Sequence, residues 1–142
     1  QLQQVYLDYF KKAKGLLSIE DPFYEKDFAG FQELKKAIGE KWIVGDDVTA
    51  TSPSLIEKGA TEKLINAVII KPNQIGTVTE TCQAIETARR HKIKIIVSHR
   101  SGETEDNFII HLAKASAAEA VKIGAPVHER ILKFNELIRL YE

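Results

Sequence analysis

Four short apolar runs, at residues 16–19, 42–44, 67–70 and 93–97, recur along the chain, and none of them alternates apolar with polar positions. A strand with one wet face alternates. A run that does not alternate along its length reads as covered on both faces, as in a parallel sheet. A weaker fifth run follows at Ala120 and Val121. Parallel neighbours need a crossover between them, and right-handed βαβ connections supply it.

The segments between the runs read as those crossovers. Residues 2–13 place Leu2, Val5, Tyr6, Tyr9, Phe10 and Ala13 at helical spacing. Residues 27–38 do the same with Phe28, Phe31, Leu34 and Ile38, then stop at Gly39. Ser52 and Pro53 read as the N-cap and first position of a short helix ended by Gly59. Residues 77–90 are expected to turn Val78, Cys82 and Ile85 inward, with Arg89, Arg90 and Lys92 where cations suit the helix dipole. Residues 104–117 carry Phe108, Ile109 and Leu112, with Thr104, Glu105 and Asp106 expected in the first helical turn. A last helix over 127–141 carries Ile131, Phe134, Leu137, Ile138 and Tyr141. No linker, low-complexity tract or charge block interrupts the pattern, so residues 1–142 are expected to form a single α/β domain with about five parallel strands. Two architectures remain open: a doubly wound sheet, or a run of β/α units from an eight-stranded barrel, which needs more chain than 142 residues.

Composition narrows the function classes. Twenty basic and 20 acidic residues leave a formal net charge of zero, so no global field draws the chain to nucleic acid or an anionic membrane. Cys82 is the one cysteine, which fits a reducing compartment. No apolar run approaches the ~18 residues of a membrane span, and a cytoplasmic protein is the expectation.

Each strand ends on a polar side chain: Glu20, Asp46, Lys71, His99 with Arg100, and Lys122, separated by 26, 25, 28 and 23 residues, each about one β/α unit. A single charge after a strand is ordinarily a solvated loop residue. Five in step are not, because a parallel sheet gathers them at its carboxyl edge, where α/β proteins build their sites. Two neighbouring carboxylates repel unless a cation lies between them, so Glu20 and Asp46 suggest a hard divalent metal such as Mg²⁺. A lysine beside that cation and a second lysine gives up its proton readily and can act as a base, the reading for Lys71. Arg100 offers a planar fork and Ser101 a hydroxyl and N–H, both suited to phosphate or carboxylate oxygens, and Lys122 adds a point charge. His91 and His128 read as surface residues, His111 as structural, and Trp42 as a packing residue.

The motifs SIEDPF (18–23), VGDDVTATSP (44–53), IIKPNQIGTVTE (69–80), SHRSGETED (98–106) and KIGAP (122–126) together resemble the enolase family, in that family's order and spacing. The resemblance runs from about residue 16 to the end. It implies part of a (β/α)8 barrel, and the Mg²⁺-dependent interconversion of 2-phosphoglycerate and phosphoenolpyruvate. It makes Glu20 and Asp46, but not Asp47, metal ligands, and Lys71 the base at C2. It puts His99, Arg100 and Ser101 in the substrate loop, the latter two on the phosphate, and Lys122 on the substrate carboxylate. It further implies that the chain holds about the last five of eight barrel strands. The family's small N-terminal domain, a third metal carboxylate and the glutamates of hydroxide loss would then lie elsewhere. Such an arc leaves two strand edges unpaired. The expectation is little dehydratase activity alone, and a homo-oligomer or a complementing N-terminal half closing the sheet. The alternative is a non-catalytic, self-associating half-barrel.

Overall fold

In a computed structural model that describes residues 1–142, five strands form one sheet: β1 (Ser18–Glu20), β2 (Trp42–Gly45), β3 (Ala67–Ile70), β4 (Lys94–Ser98) and β5 (Ala120–Lys122). All neighbours pair in parallel, and the spatial order is the sequence order. The helices are α1 (Leu2–Lys12), α2 (Phe28–Ile38), α3 (Pro53–Thr61), the one-turn α4 (Pro72–Ile75), α5 (Val78–Arg90), α6 (Phe108–Ala115) and α7 (Ile131–Tyr141), with a 3-10 turn at His128–Arg130. A doubly wound sheet reverses its strand order at a switch point. Here the order never reverses, and the sheet is a curled half-barrel.

One contact shows the curl. β1 and β5 are the two edges of the sheet, yet Lys122 Nζ donates to Glu20 Oε1 and Oε2 at 2.6 and 2.8 Å. In a flat sheet four strand spacings would separate them by about 19 Å, further than a glutamate and a lysine can reach toward each other.

Curling gives the sheet two unlike faces. Ile43, Val68, Ile70, Ile95 and Val97 face the helices and join Phe31, Leu34, Ile56, Ala84 and Ala88 in the main core. The opposite, inner face is smaller: Val44, Ala67, Ile69 and Ile96, with Trp42 and Ala120 against them. Side chains on one face recur every second residue. Stepping by two along that inner face leads from Val44 to Asp46, from Ile69 to Lys71 and from Ala120 to Lys122. The apolar floor and the polar rim are therefore one set of inward positions. At the start of the strands, side chains complete the backbone pairing: Asn66 Oδ1 accepts from Ile43 N at 2.8 Å, and Glu119 Oε2 from Ile95 N at 2.7 Å.

Several local expectations change. Gly59 does not end its helix, which runs to Thr61; it is buried in α3 because a Cβ there would sit 3.1 Å from the Ile65 side chain. In α5 the buried stripe is Thr81, Ala84, Ile85 and Ala88, while Val78 and Cys82 are exposed. Small residues let this helix lie close to the sheet and α3, and the bulkier Val78 is left outside. Thr104, Glu105 and Asp106 precede α6 rather than opening it; Asp106 Oδ1 instead accepts from Phe108 N at 2.7 Å. Phe108 is largely outside, and Ile110 takes the core position. The last helix begins at Ile131, not 127, and its one fully buried side chain is Lys133, while Ile131, Ile138 and Tyr141 are exposed. His111 is solvent-facing, 3.1 Å from Glu136, and Trp42 packs with Lys94 Nζ 5.2 Å from its ring centre.

Candidate functional site

Three features of the second β/α unit set the rim. Gly45 ends β2 without a side chain because Val48 and Thr49 fold back over it; an added Cβ would lie 3.0 and 2.9 Å from their methyl groups. Asp21, immediately after β1, accepts from the N–H groups of Asp46 at 3.0 Å and Asp47 at 2.6 Å, one on each carboxylate oxygen. Burial pushes the Asp21 carboxyl above its ordinary 3.8; the two N–H donors oppose this, and the charges of Asp46 and Asp47 reinforce it. Further along the same turn, Ala50 and Thr51 both have positive φ, 44° and 56°. For a β-branched residue that conformation is strained. It is held because the buried Thr51 hydroxyl accepts from Lys71 N at 3.0 Å and donates to Gln74 Oε1 at 2.8 Å. The turn after β2 thereby fixes the start of the turn after β3.

The charged side chains then meet in pairs. Lys71 Nζ donates to Asp46 Oδ2 at 2.5 Å, and both side chains are largely buried. Asp46 Oδ1 is buried without a hydrogen-bond partner. Glu20 and Lys122 form the second pair, and this one is more open to solvent. The sequence-predicted residues Glu20, Asp46, Lys71 and Lys122 are thus gathered at one end of the half-barrel as two carboxylate–lysine couples.

The loop after β4 completes the rim. Ser98 is buried, while Arg100 and Ser101 are exposed. Arg100 Nη1 donates to Asn73 Oδ1 at 3.0 Å, which ties the loop to α4 and brings it beside Lys71. A cleft of about 170 Å³ lies between them, lined by Asn73, Ser98, His99, Arg100 and Glu103 among others. His99 is held below its ordinary 6.5 by burial first and by the nearby Arg130 charge second, with Glu103 pulling the other way.

Sequence reasoning did not find Asp21, Asn73, Glu103, Arg130 or Lys133. Asp21 had a signal, since two successive acids end β1 and only one can point inward. Asn73, Arg130 and Lys133 act through contacts between distant segments and leave no local pattern.

A divalent cation can be tested against these groups. No three His, Cys, Asp or Glu side chains converge as a complete cage. The carboxylates of Glu20 and Asp46 are hard oxygen donors, and the partnerless, buried Asp46 Oδ1 is the kind of acceptor such an ion satisfies. The residues fit a cation that takes its remaining oxygens from water or substrate.

Comparison with known proteins bears on the whole chain. The family model described as the C-terminal TIM barrel domain of enolase matches residues 1–142. Among curated relatives, the enolase of Picrophilus torridus is 47% identical over 129 residues, covering 90% of this chain and 32% of its own length. That of Anaplasma marginale is 48% identical over 129 residues, covering 89% of this chain and 30% of its own. That of Archaeoglobus fulgidus is 49% identical over 127 residues, covering 89% and 32%. The chain spans about a third of the length of these relatives.

Proposed function

Since the chain belongs to the enolase family, as a C-terminal barrel portion of it, we propose that it supplies the barrel side of a Mg²⁺-dependent lyase site interconverting 2-phosphoglycerate and phosphoenolpyruvate. One observation supports this reading above the rest: Glu20, Asp46, Lys71 and Lys122 share the inward positions at the ends of four strands, as two reciprocal charge pairs.

The chemistry asks for a base and for positive charge. A C–H next to a carboxylate is barely acidic, and removing its proton concentrates negative charge on the carboxylate oxygens. Lys71, freed from Asp46, is the base that takes the C2 proton. Lys122, freed from Glu20, turns its ammonium toward the substrate carboxylate and opposes the growing charge. Arg100 and Ser101 hold the phosphate, with His99 beside them. Glu20 and Asp46 are the residues that would hold Mg²⁺, which supplies further charge neutralisation when bound. A lysine base with one or two Mg²⁺ ions is a general pattern for this superfamily.

In this reading the acid that assists hydroxide loss is supplied by an N-terminal part, so the chain alone turns over little substrate until that part completes the site. The same reading puts it in glycolysis and in the cytoplasm; no helix is long and apolar enough to cross a membrane. The test is to mix the folded chain with a matching N-terminal enolase portion and assay phosphoenolpyruvate formation. Turnover should appear in the mixture and vanish with Lys71→Met. A folded mixture without turnover rejects the reading.

A second reading rests on the two open edges. Beside β1, Tyr6, Tyr9, Phe10, Leu16 and Ile19 line an apolar cleft of about 390 Å³. Beside β5, Val121, Leu137, Ile138 and Tyr141 line another of about 460 Å³. Unpaired edges flanked by apolar surface favour association, so the chain alone is a non-catalytic half-barrel that pairs with a second copy. Sedimentation over a concentration series should show a dimer, and a monomer throughout rejects this reading.

A further inference from the structure

The loop carrying His99, Arg100 and Ser101 has few ties to the sheet. Its first N–H, that of His99, donates to Lys122 O at 2.9 Å. Beyond that point, apart from the Arg100–Asn73 bond and the Ser98 hydroxyl donating to His99 O at 3.0 Å, its anchors come from the segment about thirty residues later. Arg130 Nε donates to His99 Nδ1 at 3.2 Å, and Arg130 Nη2 to Ser101 O at 3.2 Å. Arg130 Nη1 donates to Glu129 Oε1 at 2.5 Å, which fixes the guanidinium plane.

One helical turn further on, Lys133 is fully buried, and its Nζ donates to Thr104 O at 2.6 Å. It also lies 3.5 Å from Glu103 Oε1. Glu103 in turn accepts from Arg100 N at 3.3 Å and Thr104 N at 3.0 Å. Two cations spaced three residues apart therefore grip the loop on both sides of Arg100.

Packing alone does not account for them. A fully buried lysine carries a large desolvation penalty, and an apolar residue would suit a helix interior better. Gly124 points the same way. Its φ is +71°, and a Cβ there would lie 3.0 Å from both Arg130 Cδ and His99 Cε1. The backbone has been kept bare where Arg130 and His99 come together.

We propose that Arg130 and Lys133 are positioning residues that preorganise the loop over 99–104 as an anion seat, with Arg130 locking His99 in the tautomer protonated at Nε2. An arginine N–H can only donate, so Nδ1 must present its lone pair. A doubly protonated ring would set N–H against N–H. The charged groups facing His99 are Arg130, Glu103, Lys122 and Lys133. Holding the loop in one geometry before a ligand arrives removes part of the ordering cost of binding. The anion-seat part of this proposal rests on the functional reading above; the tautomer lock does not.

The test uses the whole chain with ¹⁵N-labelled histidine, and inorganic phosphate as the probe. In the unaltered chain His99 should show a bare Nδ1 and a protonated Nε2, and stay neutral below its ordinary 6.5. Arg130→Gln should mix the tautomers, move the titration up toward that value, and weaken phosphate binding at the Arg100 and Ser101 amides by about tenfold. Gly124→Ala, which drives the same two side chains apart, should reproduce the tautomer mixing. A His99 spectrum and titration left unchanged by Arg130→Gln overturns the proposal. If phosphate moves no amide in the unaltered chain while Arg130→Gln still releases His99, the tautomer lock stands and the functional reading of the loop falls.

Discussion

Lys71 Nζ lies 2.5 Å from one oxygen of Asp46, while the other oxygen of that carboxylate, Oδ1, is buried without a partner. The lysine occupies the position of a counter-ion for the aspartate, and half of the carboxylate remains unsatisfied. Removing the lysine should therefore expose what else the aspartate can hold. Lys71→Met is expected to destabilise the metal-free chain by up to about 3 kcal/mol, because it strands a buried charge. Mg²⁺ should then restore much of that stability, by binding the folded state alone. Asp46→Asn should show no such recovery. Urea unfolding with and without MgCl₂ measures both, and equal Mg²⁺ stabilisation of Asp46→Asn and the unaltered chain would remove Asp46 as a ligand.

Lys122 and Glu20 are a different case, because the pair is well exposed to solvent. An exposed ion pair contributes only about 0–1 kcal/mol. Lys122→Ala should accordingly leave the urea midpoint almost unchanged. If Lys122 meets the substrate carboxylate, the same change should weaken 2-phosphoglycerate binding by about tenfold in calorimetry. A large stability loss with unchanged ligand affinity would make Lys122 a brace and nothing more.

Gly45 tests how the Asp46 turn is built. The two methyl groups 2.9 and 3.0 Å from its added Cβ belong to the buried Val48 and Thr49. Both are short β-branched side chains with no flexible end to swing aside, so Gly45→Ala should overpack the turn and cost about 1–3 kcal/mol. Thermal unfolding is the readout.

Glu119 carries a pH signature. Burial works to raise its pKa, but the Ile95 N–H and the Arg89 guanidinium outweigh it and hold the carboxyl below its ordinary 4.5. Its folded value is thus depressed. Its contribution is complete above the unfolded value and fades as pH falls through the folded one. Glu119→Ala should cost about 2 kcal/mol at neutral pH. The gap from the unaltered chain should narrow only below about pH 4.5, the ordinary value. Chemical denaturation across that range checks the sign.

The framework was legible from the start, for a physical reason. A strand covered on both faces can carry no polar residue between its ends, so residues 67–70 and the apolar stretch 95–97 of the 93–97 run declare themselves, and the first charge after each marks the rim. The choice between an open sheet and an arc was not in the runs themselves; it rests on strand order, which the periodicity does not encode. Within helices the reading was right only in part, as in α5, where Ile85 is buried as expected but Thr81 and Ala84 lie inward and Val78 and Cys82 do not. Two adjacent stripes were apolar enough to qualify, and close packing selected the smaller one. Lys133 was invisible because its burial depends on Glu103 and Thr104, thirty residues earlier. The convergence of the strand-end side chains was legible, and the contacts that hold them in place were not.

The unbroken strand order has one more implication. Each strand pairs only with the strand before it and the strand after it, and no strand is inserted between two others already in place. An arc of this kind can gain or lose units at its ends without rethreading, much as a repeat array does. Partition of such a polypeptide between units would interrupt the ring while sparing the connectivity of every piece.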